Sequence, residues 1–140
     1  MMEPIRVLHN IASLHFGGAQ SFVMNVYRNI DRSKIQFDFV VTPEEKRDLY
    51  EQVEQMGGRI FVAPKYTGKN HFSYCKWWDD FFIEHPEYHI IHGHVRSTAA
   101  IYLKIANRHG LVTIAHSHST SNGSGIEAMI KDIMQIPIRD

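Results

Sequence analysis

Short apolar runs alternate with helical periodicities along almost the whole chain, and this alternation restricts the fold more than any other feature. Residues 5–11 (IRVLHNI) read as a strand buried on both faces. From Ala19, apolar side chains at Phe22, Val23, Val26, Tyr27 and Ile30 mark one face of a helix. Residues 37–41 (FDFVV) predict a second strand. Thr42-Pro43-Glu44-Glu45 predicts a helix start, with Thr42 as cap, Pro43 in the first turn and Glu45 closing a capping box. Leu49, Val53 and Met56 give that helix its stripe, and Gly57-Gly58 ends it, since glycine accepts the left-handed C′ conformation.

The pattern then repeats. Residues 59–63 (RIFVA) predict strand three. Tyr74, Trp77, Trp78, Phe81 and Phe82 follow at helical spacing, with Pro86 just beyond. Residues 88–92 predict strand four, 96–109 a helix stopped by Gly110, and 111–115 (LVTIA) strand five. Ser124 with Glu127 forms another capping box, so a last helix is expected there. Strands alternating with helices imply a parallel sheet between two helical layers. Right-handed crossovers favour the doubly wound order 3-2-1-4-5. The expected fold is therefore α/β: a Rossmann-like, three-layer α/β/α domain covering residues 1–140.

In such sheets ligands bind outside the carboxyl ends of the strands, at the switch point between strands one and four. Three motifs fall there. Gly17-Gly18-Ala19-Gln20 follows strand one, His92-Gly93-His94 ends strand four, and His116-Ser117-His118 ends strand five. Two glycines before a helix let a ligand approach the backbone and the helix N-terminus, which attracts phosphate. The other reading is a plain tight turn. The pattern lacks the spaced glycines of a dinucleotide fingerprint and the Lys-Ser/Thr of a Walker A loop.

Residues i and i+2 of a strand share a face, so each His-x-His pair points one way. Taken singly, each histidine reads best as a satisfied core or loop residue. Together they could hydrogen-bond a hydroxylated ligand or handle a proton. A metal site would need three or four ligands around one point, and no nearby Asp or Glu completes a usual catalytic set; no metal is expected. Arg96 stands where the next helix should begin, ready to pair with an anionic ligand or simply to sit near a helix end. The Tyr74–Phe82 aromatics read as core, and Lys65, Lys69 and His71 as a solvated loop.

Composition closes off other classes. Fifteen Lys and Arg balance fifteen Asp and Glu, so nucleic acid held by charge is excluded. A single cysteine, Cys75, forms no internal disulfide, fits a reducing compartment and reads as a buried inert thiol. No apolar run approaches the about 20 residues that span a bilayer, and the N-terminus lacks a signal-peptide core.

Taken in order, these motifs resemble the N-terminal half of a family 4 glycosyltransferase, in the branch that builds bacterial exopolysaccharide and capsule. The resemblance runs from Arg6-Val7-Leu8-His9 through Gly17-Gly18-Ala19-Gln20 and Met24-Asn25-Val26-Tyr27-Arg28-Asn29-Ile30. It continues in Asp31-Arg32-Ser33-Lys34, residues 35–41, Gly57-Gly58, residues 90–94 and residues 114–118. It implies a two-domain GT-B fold with the active site in the cleft. The N-terminal domain binds the acceptor, and a C-terminal domain, absent here, holds the nucleotide sugar. It also implies retaining, metal-independent transfer with no cofactor. His94 and His116 would line the reaction centre. Gly17, Gly18 and Ala19 would meet donor phosphates or acceptor, with Arg96 and His118 beside them. One departure is Val95-Arg96-Ser97, where some relatives place an acidic residue.

The expectation is thus a truncated, acceptor-side domain, inactive alone. The full-length protein would move sugar from a nucleotide-sugar donor to a lipid-linked or glycan acceptor. It would sit in the cytoplasm, with peripheral contact at the inner face of the cell membrane left open. The alternatives are a self-contained doubly wound ligand-binding or signalling domain, and a metal hydrolase using the paired histidines.

Overall fold

The computed structural model describes residues 3–15 and 17–116. Phe16, His118, the helix expected from Ser124 and the chain end at Ile136-Pro137-Ile138 lie outside the described residues. The elements run β1 (Ile5–Ala12), α1 (Gly18–Asn29), β2 (Ile35–Val41), α2 (Tyr50–Gln55), β3 (Ile60–Val62), α3 (His71–Glu84), β4 (Ile90–Gly93), α4 (Ala99–Arg108) and β5 (Val112–Ala115). All neighbouring strands are parallel, in the order β3-β2-β1-β4-β5. This is the doubly wound order expected from the alternation.

The two faces of the sheet carry separate cores. Val7, Phe37, Phe39, Val41 and Ile90 pack beneath Val23, Val26 and Tyr27 of α1 and Val53 of α2. Leu8, Val40 and Ile91 pack on the other face against Tyr74, Trp78 and Phe82 of α3 and Tyr102 and Ile105 of α4. Strand neighbours in β1, β2 and β4 alternate between the cores, so both faces of these strands are covered and they read as continuous apolar runs, while β5 is largely exposed among the described residues. Tyr74, Trp78, Phe81 and Phe82 of α3 are core, as their spacing predicted, with Trp77 half-buried, while Phe72 at the start of the helix is exposed. Cys75 is half-buried rather than buried.

One helix start moves. The capping box at residues 42–45 predicts a helix there, yet α2 begins at Tyr50. Thr42 Oγ1 instead donates to the Ala12 carbonyl, and Glu44 Oε1 accepts from the Leu14 backbone N–H. The capping hydroxyl of Thr42 is thus spent on the end of β1, and its neighbour Glu44 on the loop after it. Gly57, at φ +94°, does end α2 as expected.

Asp38 ties the amino ends of the strands together. It is fully buried, accepts two bonds from Arg6 Nη1 (2.8 and 3.0 Å), one from the Tyr88 hydroxyl (2.5 Å) and one from Arg59 N–H (2.8 Å). Burial first, and then the bond to Asp38, pushes the Tyr88 hydroxyl pKa up. These bonds join β1, β2 and the entries to β3 and β4, and leave the opposite edge for a site. Among the described residues no helix is long and apolar enough to cross a membrane.

Candidate functional site

The carboxyl edge is built from the ends of β1 and β4. Their register pairs His9 with His92 and Asn10 with Gly93. His94 follows the last residue of β4, and its N–H donates to the Asn10 carbonyl at 2.9 Å, so the ladder continues and His92 and His94 share a face. Their rings lie 4.4 Å apart and 8° from parallel. The His116 N–H donates to the Gly93 carbonyl at 2.9 Å, which extends β5 the same way. The His116 ring then stands 5.2 Å from His92 and 5.8 Å from His94.

Gly93 is required by packing. A Cβ there would strike the Tyr102 ring, 3.0 Å from Cε2 and nearer still to the hydroxyl. That hydroxyl donates to the Val95 carbonyl at 2.6 Å, holding the turn after His94. Arg96 lies in this turn and is exposed; α4 starts three residues later, at Ala99. The first helical turn therefore does not contain Arg96, contrary to its expected place at the helix start. Its carbonyl accepts from Ala99 N–H at 3.2 Å, so the residue belongs to the lead-in.

Gly17 is the N-cap of α1 with extended backbone, φ −174°, and no side chain caps the helix. Gly18 opens the helix, and a Cβ built there meets nothing within 4 Å. Its backbone faces open space, as close approach of a ligand requires. Ala19 is half-buried in the same turn. Phe22, one turn along α1, packs on the His116 ring at 5.2 Å. The glycine loop, His94 and His116 are thereby brought to one edge.

His9 is the residue that motif reading missed. It lies inside β1, fully buried, with Nδ1 3.0 Å from His94 Nε2. Pairing the His-rich end of strand four with strand one in register would have exposed it. Burial, with smaller contributions from His92 and His116, holds the His9 pKa well below the ordinary value. Burial also lowers His116. Both imidazoles are neutral near pH 7 and can accept or donate a bond. His9, His92 and His94 are the one group among the described residues with three ligand nitrogens within 4.8 Å of one another.

Two more features border the edge. His15 Nδ1 lies 2.7 Å from an Asp48 carboxylate oxygen, in the loop leading to Gly17. On the α3 side a cavity of about 290 Å³ opens between Asn10, Ala12, Thr42, Lys65, Tyr66 and Thr98. Ala12 sits there in the left-handed region, φ 67°, which a residue with a Cβ adopts at some cost.

No protein-family model matches the chain. The chain is 31% identical over 132 residues to the putative glycosyltransferase EpsF of Bacillus subtilis, a match covering 94% of this chain and 34% of that protein. It thus spans about a third of the length of the curated relative it matches. Among solved structures, MurG from Acinetobacter baumannii aligns with a TM-score of 0.60 at 12% identity, over 93% of this chain and 39% of that one. An O-GlcNAc transferase mutant from Thermobaculum terrenum aligns with a TM-score of 0.56 at 13% identity, over 81% and 20%. The C-terminal domain of a Pyrococcus furiosus hydrogenase aligns at 0.52 and 13%, over 83% and 95%. At such identities the solved structures speak for the fold alone. The chain is therefore similar along almost its whole length to part of a putative glycosyltransferase, and its Rossmann-like fold is shared with parts of MurG and the O-GlcNAc transferase.

Proposed function

We propose that the chain is the acceptor-side, N-terminal domain of a retaining glycosyltransferase. In this reading the full-length protein moves a sugar from a nucleotide-sugar donor to a glycan or lipid-linked acceptor in surface polysaccharide synthesis. A C-terminal domain holds the donor, and the 140 residues alone are inactive. The supporting observation is the convergence of His94, His116 and the Gly17-Gly18 loop on one edge, with Phe22 bridging helix and histidine.

The chemistry fits that arrangement. Sugar transfer develops positive charge at the donor carbon and negative charge on the leaving diphosphate. The first-turn N–H groups of Gly18 and Ala19, at the positive end of α1, suit the phosphates. His94, or His116 in its neutral form, orients a sugar hydroxyl. Exposed Arg96 is placed to meet an anionic group, and His118 belongs to the same strand end by sequence. The 290 Å³ cavity offers an acceptor sugar a seat beside them. Transfer is proposed to need no metal or cofactor. The protein would work in the cytoplasm, at the inner face of the membrane when its acceptor is lipid-linked.

The test is release of nucleotide from UDP- and GDP-sugars by the full-length protein, with a chelator present and with membrane extract as the acceptor source. Acceptor-dependent release supports the reading and identifies the donor. No release from a folded protein with any donor and acceptor counts against it.

A further inference from the structure

We propose that His9, His92 and His94 form a binding site for one divalent transition-metal ion of the zinc class, and that an ion bound there withdraws His94 from sugar handling. The binding itself stands on geometry. Only the consequence for transfer rests on the glycosyltransferase reading.

The three side chains come from two adjacent strands in register. His9 is paired directly with His92, and His94 lies two residues on, on the same face. One nitrogen from each falls within 4.8 Å of the others. Two nitrogens on one tetrahedral ion, each about 2.0–2.1 Å from it, are about 3.3 Å apart. His9 Nδ1 and His94 Nε2 are 3.0 Å apart, close to that spacing. Imidazoles sharing such an ion have ring centres about 5 Å apart. The ring centres here are separated by 5.2 Å (His9–His92), 5.3 Å (His9–His94) and 4.4 Å (His92–His94).

The site needs one adjustment. The His92 and His94 planes are only 8° from parallel, so one ring must turn about its Cβ–Cγ bond for both lone pairs to meet at the ion. That torsion is broad for histidine, and the turn is small chemistry. His9 Nε2, the ring nitrogen turned away from His94, is buried with no hydrogen-bond partner, so no second bond fixes the tautomer and the ring proton can sit there while Nδ1 takes the ion. An all-imidazole donor set suits zinc, copper, nickel or cobalt rather than magnesium or calcium. Three histidines leave a fourth position, and His116 stands on that side, 5.2 Å from His92.

Binding is an exchange. The proton now shared between His9 Nδ1 and His94 Nε2 moves to the other ring nitrogen of the imidazole that carries it, and the ion takes its place between two neutral ligands. Affinity therefore falls as pH falls. His94 cannot hold the ion and a sugar hydroxyl at once, so zinc opposes transfer instead of serving it.

The experiment uses the untagged chain, stripped with chelator and titrated with Zn²⁺ by equilibrium dialysis, with Co²⁺ absorption to read coordination geometry. One equivalent should bind with a tetrahedral cobalt spectrum. His9→Phe, which keeps a stacked ring, should weaken binding by more than the about 10–100-fold that loss of an outer-shell partner costs. His89→Ala, which removes an exposed histidine outside the cluster, should leave binding unchanged. Imidazole ¹⁵N shifts of the wild-type protein should move for His9, His92 and His94, a readout that holds even if the variant fails to fold. Absence of a bound equivalent, equal affinity in His9→Phe, or ¹⁵N shifts confined to other histidines would overturn the site. In the full-length protein Zn²⁺ should inhibit sugar transfer and chelator should restore it. Binding without inhibition would overturn the second half of the proposal alone, while an inactive protein that still binds zinc would count against the transferase reading and leave the site standing.

Discussion

His9 and His94 meet across β1 and β4 at 3.0 Å, Nδ1 to Nε2, in the covered interior of the sheet's carboxyl edge. A core strand thus supports the histidine that the glycosyltransferase reading places at the reaction centre. His94 does not stand on a loop alone; its N–H is held by Asn10 and its ring by His9. Several expected outcomes follow from this and from the bonds at the opposite edge.

The pH dependence of stability is fixed by the neutral imidazoles. Folding lowers the His9 and His116 pKa below the ordinary 6.5. The unfolded chain therefore takes up protons that the folded one refuses once pH drops below about 6.5. Stability is full above that value and is lost progressively as pH falls towards the folded pKa values. Melting temperature, followed by circular dichroism from pH 8 to 5 with chelator present, should fall across the lower half of the range. The slope should be shallower in His9→Phe. A melting temperature that is flat or rises on acidification would contradict the burial argument.

Asp38 should be among the most sensitive polar positions. Asp38→Ala leaves the Arg6 guanidinium without its two bonds and strands the Tyr88 hydroxyl and the Arg59 N–H. Breaking a buried pair from one side costs about 3–5 kcal/mol. Urea denaturation should show a loss of that order, and a loss under about 1 kcal/mol would mean the cluster behaves as a surface ion pair.

Gly93→Ala should destabilise by about 1–3 kcal/mol, the usual cost of overpacking. Tyr102→Phe removes the hydroxyl nearest the new methyl but leaves Cε2 and Cζ at 3.0 Å. The double variant should recover part of the loss, not all of it. Strictly additive losses in a double-mutant cycle would separate the two residues.

Gly18→Ala separates ligand approach from folding. The added methyl meets nothing within 4 Å, and Ala favours a helix over Gly by about 1 kcal/mol or less. The melting temperature should hold or rise slightly. In the full-length protein the same methyl should raise KM for the nucleotide sugar or lower kcat. Unchanged kinetics would leave the loop as a plain turn.

Much of this was legible in the residues, for physical reasons. Strands buried on both faces and helices with one apolar face leave strong periodic signals, so the strand order followed from connection rules. The ends of β4 and β5 announced themselves through His-x-His. What stayed hidden depended on contacts between distant segments. Thr42 and Glu45 look like a helix cap, but the end of β1 recruits Thr42, and the loop after it holds the neighbouring Glu44. Asp38 reads as a lone acid in an apolar strand until Arg6, Arg59 and Tyr88 surround it. His9 has no local signal, because its partner lies 85 residues away.

The measurement closest to the central claim is nucleotide release by the full-length protein from a panel of UDP- and GDP-sugars, wild type beside His116→Ala. His116 is half-buried at the site rim, so the variant should fold. Acceptor-dependent release by the wild type, reduced about 10²–10³-fold in the variant with its melting temperature retained, is the predicted result. Release that is equal in the two proteins, or absent from both while they remain folded, would contradict it.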